Sequence, residues 1–236
     1  MKLLRFVKRN IPNSITCLNL LSGCLACVFS FSYDADFGPL KGYEMAFLFI
    51  GLATLFDFCD GLSARLLHAY SALGKELDSL SDLVSFGLAP AMLVFNTMMR
   101  HDAGWLSYLA FFITICGALR LAKFNIDDRQ TTTFIGLPIP ANAIFWIGII
   151  AWNMQFGYMG NGLMAVLSIL FPLLMLSRMR MFSLKVHNFA FQNNVRRYAL
   201  VLGAVLFLVF QHLSGLAWTI VLYIFLSATA RKNEQV

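Results

Sequence analysis

The sequence predicts an all-α fold, a polytopic transmembrane helical bundle of about eight spans with both termini in the cytoplasm. Three observations predict it. Hydrophobic residues make up 59% of the 236 residues and charged residues only 13%. Uncharged runs of 17 or more residues recur, each long enough to cross a hydrocarbon core of about 30 Å. They lack the alternation of a barrel, so the backbone must satisfy itself within helices. The third observation is charge asymmetry. With spans placed near 15–33, 43–64, 76–99, 104–121, 138–156, 160–177, 198–212 and 214–229, all but Lys41 and Arg100 of the 18 basic residues fall on one side. The positive-inside rule puts that side in the cytoplasm. The net charge of +6 therefore reflects topology, with contact to anionic lipid headgroups, and no nucleic-acid partner is implied. The chain reads as one integral membrane domain, 1–236, with an interfacial segment 1–10, catalytic core spans over 11–156 and additional spans over 157–236.

Taken in order, MKLLRFVKRN (1–10) reads as a short basic interfacial helix. A basic start before an apolar run also mimics a signal peptide. The run continues to Phe31 and is followed by more membrane, so an uncleaved first span is expected. Pro12, Asn13 and Thr16 stand at its cytoplasmic mouth. They either initiate the helix or hydrogen-bond a nucleotide and its phosphates. The connection 34–42, acidic and turn-rich, is expected outside.

Residues 57–82, DFCDGLSARLLHAYSALGKELDSLSD, carry the chemistry. Asp57 and Asp60 are spaced i, i+3, and Asp78 and Asp82 i, i+4, so each pair projects from one helical face. Ionised carboxylates in or beside membrane spans are costly and usually functional. Four at helical spacing point to a shared divalent cation, since hard ions take carboxylate oxygens and substrate phosphates. The bland alternative is helix capping or pairing with Arg65 and Lys75. Gly61, Ala64 and Gly74 lack bulk and would admit a ligand close to the backbone. Ser81, Ser85 and Gly87 continue the polar or small positions of span three, and Pro90 is expected to kink it.

Span four ends in Arg120, Lys123 and Asn125, on the side of the aspartates. Snorkelling flank residues would explain the two cations but not Asn125. Spans five to eight carry few ionisable groups, and the basic loop 178–197 reads as solvated or lipid-facing. The five cysteines read as packing residues with no disulfide framework. None of the four histidines has a ligand partner at metal spacing.

The spacing D-x-x-D-G-x-x-A-R-x8-G-x-x-x-D-x-x-x-D resembles, at every fixed position, the signature of the CDP-alcohol phosphotransferase family of membrane enzymes. P-N-x-x-T (12–16) is similar to the entry of that family's first span. SFGLAP (85–90), RLAKFN (120–125) and FIGLPIPAN (134–142) resemble blocks of its phosphatidylserine synthase branch. The likeness covers roughly residues 10–145 and departs at Lys123, where the branch usually has Arg. It implies transfer of a phosphatidyl group from CDP-diacylglycerol to L-serine, releasing CMP. By the same resemblance Mg²⁺ or Mn²⁺ would be held by Asp57, Asp60 and Asp78. Asp82 would be the general base, also touching a metal. Asn13, Thr16, Gly61, Ala64, Arg65 and Gly74 would bind the CDP-lipid. Ser85, Arg120, Lys123 and Asn125 would bind the acceptor or lipid phosphate. A homodimer in the cell membrane, active on its cytoplasmic face, is the implied assembly. Serine as acceptor rests on the branch resemblance alone. Glycerol 3-phosphate or inositol phosphate, or an archaeal lipid donor, would use the same chemistry. A cation-coupled transporter is the alternative from another class, disfavoured because the aspartates sit in one half of the chain near one surface.

Overall fold

The computed structural model describes residues 2–126, 134–182 and 191–229, with side chains described from residue 10 onward except 134 and 191–193. Apart from two short two-stranded ribbons, the described chain is helices and turns. Five stretches are long and apolar enough to cross a membrane: Asn10–Phe31, Gly42–Leu66, Ala72–Met99, Gly104–Ile126 and Asn194–Ala228. The chain is a helical membrane bundle. It divides into two compact units, Met1–Ile115 and Cys116–Val236, each described by itself.

The first unit is built on α1 (Lys2–Phe31), against which α2 (Gly42–Leu66), α3 (Ala72–Asp82) and α4 (Ala89–Met99) all rest. Helix α1 runs unbroken through Pro12 from Lys2, so Pro12 lies inside the helix and does not initiate it. The loss at Pro12 is confined to one backbone hydrogen bond, while the long apolar run beyond keeps the helix in register. A ribbon of β1 (Asp36–Phe37) and β2 (Leu40–Lys41) then returns the chain to α2. Helix α2 can leave so close to α1 because Gly42 sits against the Ser32 carbonyl, where a Cβ would collide. Phe29 of α1 stacks on Phe49 of α2 at 5.3 Å between centroids. At the same end Thr97 donates to the Tyr33 hydroxyl at 3.0 Å, Arg100 lies over the Tyr33 ring, and Arg100 pairs with Asp34. Burial pushes the Tyr33 phenol up to about 12, so it stays protonated.

Pro90 does not simply kink the third rod. Helices α3 and α4 are continuous through a π-helical segment, Leu83–Leu88, in which the Ala89 N–H reaches the Val84 carbonyl five residues back. The wider turn accommodates a proline that has no N–H to give and whose ring crowds the carbonyl four residues before it. One extra residue in a turn rotates the following face by about 100°. Asp82 and Ser85 can therefore meet α1 at Asn19, while Asn96 meets α1 again at Ser30 and Thr97 meets Tyr33 just beyond its end.

The turn between α2 and α3 sets the spacing of the two aspartate pairs. Ala69 N–H bonds the Ala64 carbonyl and His68 N–H the Arg65 carbonyl, a Schellman termination. His68 holds the left-handed position, φ +49°, where glycine would be at ease. We expect His68→Gly to stabilise the protein by about 0.5–1 kcal/mol, read as a rise in unfolding temperature in detergent. Helix α3 then starts at Ser71, whose Oγ accepts from the Gly74 N–H at 2.9 Å, an N-cap.

The second unit holds the end of α5 (Phe112–Ile126), α6 (Ile139–Phe156), α7 (Asn161–Leu176), α8 (Phe191–Gln211) and α9 (Gly215–Ala228). Strand β3 (Phe134–Ile135) pairs with β4 (Arg180–Met181). Gly136, φ +77°, turns this strand into α6 against the Met175 carbonyl, where no Cβ fits, and Pro138 and Pro140 begin the helix. Helices α8 and α9 fold back on each other at His212–Ser214. Arg196 clamps the hairpin, donating to the Leu226 carbonyl at 2.5 Å and the Thr229 carbonyl at 2.8 Å. Arg196 and Arg197 thus belong to α8, not to the expected 178–197 loop, and 183–190 lie outside the described residues. At 16 and 14 residues, α7 and α9 rise about 24 and 21 Å, less than a hydrocarbon core of about 30 Å.

Candidate active site

Helix α1 presents a polar stripe at intervals of three residues, Asn13, Thr16 and Asn19, and each member touches a different part of the aspartate motif. Thr16, almost fully buried, donates its hydroxyl to Asp60 Oδ2 at 2.6 Å. Asn19, fully buried, donates Nδ2 to Asp82 Oδ1 at 3.1 Å. Asn13 lies at Gly74, where an added Cβ would stand 2.9 Å from Asn13 Oδ1. Gly74 therefore serves contact with α1 as well as the start of α3. The stripe ends at Gly23, which packs directly on Ser85.

Oxygens of Asp57, Asp60 and Asp78 lie within 4.8 Å of one another. Three carboxylates at that separation repel strongly unless a cation or protons intervene. Asp78 Oδ1 is buried and has no hydrogen-bond partner among the described residues. A hard, all-oxygen donor set with an unsatisfied buried oxygen fits a divalent cation of the Mg²⁺ type. Asp82, 8% exposed, stands outside this trio, one helical turn beyond Asp78.

A cavity of about 550 Å³ opens beside the trio, lined by residues of the first unit, and its size lies within the roughly 300–1,000 Å³ usual for small-ligand sites. Five of the six residues expected from the sequence to bind the CDP-lipid line it, Asn13, Thr16, Gly61, Ala64 and Gly74, together with Asp60 and Asp78. Gly61 and Ala64 leave α2 nearly bare there. Arg65 is exposed, with Nη1 3.9 Å from where a Gly61 Cβ would be.

The acceptor residues expected from the sequence are divided between the two units. Ser85 is fully buried and gives its hydroxyl to the Asn19 carbonyl at 3.0 Å, which joins α1 to the π segment. Arg120, Lys123 and Asn125 lie at the end of α5 in the second unit: Arg120 is buried near the Phe124 ring, Lys123 exposed and Asn125 half-buried. Sequence reasoning passed over Asn19, Ser71 and Tyr70, and named Lys75 only as a cation that could pair with the aspartates. Asn19 was discoverable, because it repeats the three-residue spacing from Asn13 to Thr16. The other three line the cavity only because the α2–α3 turn brings them back over it, and no periodicity announces that.

Fold and site together define a helical membrane protein with an acidic trio at the foot of a bare helical face. The profile described as CDP-alcohol phosphatidyltransferase matches residues 9–177, and the chain belongs to this family. A divalent metal requirement is general in the family, and the trio accords with it. The chain is 43% identical over 131 residues to a protein of Bacillus subtilis named CDP-diacylglycerol–serine O-phosphatidyltransferase, covering 55% of this chain and 69% of that one. It is 38% identical over 167 residues to a protein of the same name from Methanocaldococcus jannaschii, covering 71% of each. A third of that name, from Mycobacterium leprae, is 36% identical over 155 residues, 62% of this chain, and only 48% of that relative's length is spanned.

Proposed function

We propose that the protein makes phosphatidylserine, transferring the phosphatidyl group of CDP-diacylglycerol to L-serine with release of CMP. The observation that carries this reading is the clustering of three motif carboxylates, two of which, Asp60 and Asp78, line a cavity together with the motif's small residues. The choice of serine is supported by the names of relatives at 36–43% identity.

In this reading Asp57, Asp60 and Asp78 would hold Mg²⁺ or Mn²⁺, which would supply counter-charge to the phosphates. Thr16 fixes Asp60 by its 2.6 Å hydrogen bond, so one ligand is oriented before any ion arrives. Gly61 and Ala64 admit the nucleotide against α2, and Asn13 and Gly74 bound it on the side of α1 and α3. Arg65 lies within reach of the diphosphate from the rim. Asp82 takes the proton of the acceptor hydroxyl as that oxygen bonds to the phosphatidyl phosphorus and the bond to CMP breaks. A neutral alcohol is a weak nucleophile, so this base assistance contributes directly to rate. Arg120, Lys123 and Asn125 remain our assignment for the carboxylate of serine or the lipid phosphate; Ser85 we withdraw to a packing role. We further assign the chain to the cell membrane as a single eight-span domain, a homodimer with this site facing the cytoplasm.

The test is CMP release from CDP-diacylglycerol by purified protein, with L-serine, glycerol 3-phosphate and inositol phosphate offered separately. We expect release with serine only, and its loss on chelation with recovery on adding Mg²⁺ or Mn²⁺. Release with another acceptor alone would move the enzyme to a different branch of the family. Absence of release with every acceptor, from folded and metal-replete protein, would overturn the transferase reading.

A further inference from the structure

We infer that Asn19 is a positioning residue that holds Asp82 in place for proton transfer, an inference that rests on the reading of Asp82 as the base. Asn19 is fully buried on α1. Its Nδ2 donates to Asp82 Oδ1 at 3.1 Å. Its own Oδ1 is buried with no hydrogen-bond partner among the described residues. The amide cannot turn round without setting an oxygen against the carboxylate, so the donor faces Asp82.

An unsatisfied buried carbonyl is unfavourable, and an apolar residue of the same shape would avoid it. The side chain of Asn19 therefore makes sense as a hold on Asp82 rather than as packing. With Oδ1 of Asp82 held, rotation of the carboxyl is fixed and Oδ2 is the oxygen left to receive a proton. The same residue also secures the backbone just beyond. Its main-chain carbonyl accepts the Ser85 hydroxyl at 3.0 Å, in the π segment that begins directly after Asp82. One residue of α1 thus holds both the carboxyl and the unusual helical turn that follows it. Small displacements of a reacting group are expensive in rate, about a hundredfold for 1 Å.

The experiment is a double-mutant cycle on the full-length protein in detergent, comparing parent, Asn19→Leu, Asp82→Asn and the double variant. Serine-dependent kcat, KM for CDP-diacylglycerol and unfolding temperature are read for each. Asn19→Ser, which adds no bulk and is too short to reach Asp82, runs through the same cycle should the leucine variant fail to fold. We expect Asn19→Leu to lower kcat by about ten- to a hundredfold with KM for CDP-diacylglycerol unchanged. In the Asp82→Asn background the same change should have no further effect on kcat. An equal loss in both backgrounds would show that Asn19 acts on folding or on another group, and would overturn the inference while leaving Asp82 as base. Parent-like turnover by Asp82→Asn itself would remove the base, and the inference with it.

Discussion

Asp78→Asn is expected to lower CMP release about a thousandfold, because it withdraws one of three charges that face a common point. Asparagine keeps the shape of the side chain, so helix α3 and its contacts are preserved and the effect is electrostatic. In the parent, Asp78 Oδ1 is buried without a hydrogen-bond partner among the described residues, within 4.8 Å of ligand oxygens from Asp57 and Asp60. That geometry fits a cation shared by the three carboxylates. Binding of Mn²⁺, followed by electron paramagnetic resonance, should weaken in step with turnover, while unfolding temperature in metal-free detergent stays level or rises as repulsion within the trio is relieved. Unchanged Mn²⁺ affinity in this variant would remove Asp78 from the metal site.

Gly23→Val is expected to destabilise the protein by about 3 kcal/mol and to abolish activity with it. A Cβ on Gly23 would lie 2.8 Å from the Ser85 Cα and 2.9 Å from its nitrogen. Those are backbone atoms, which cannot rotate away as a side chain would, so α1 must separate from the π segment. Separation would break the Ser85–Asn19 bond and draw Asn19 from Asp82. Gly51→Ala is the control: nothing lies within 4 Å of a Cβ there, and in a helix alanine is favoured over glycine by about 1 kcal/mol. Thermal unfolding in detergent should show a large fall for the first variant and none for the second. Comparable unfolding temperatures in both would mean that α1 and the π segment are not tightly apposed.

Much of this protein was determined by its sequence alone. Uncharged apolar runs admit only helices in a membrane, because lipid offers the backbone no hydrogen bonds. The aspartates announced themselves because charge is costly there, and helical spacing placed each pair on one face before any coordinates were known. Gly61, Ala64 and Gly74 were legible for a related reason, since absence of bulk beside such a cluster leaves room for a ligand.

Tertiary structure decided what depends on which helices meet. Thr16 and Asn19 became partners of Asp60 and Asp82 only when α1 was laid against α2 and α3, and local periodicity carries no record of contacts across 44 and 63 residues. Ser85 was given a binding role by the resemblance of its block, yet it is fully buried against Gly23 and its hydroxyl joins the π segment to α1. Pro90 was expected to kink the rod, and the disturbance it makes is of another kind. Its form, a π turn rather than a plain kink, follows from the need to keep both halves of one rod in hydrogen-bonding contact with α1.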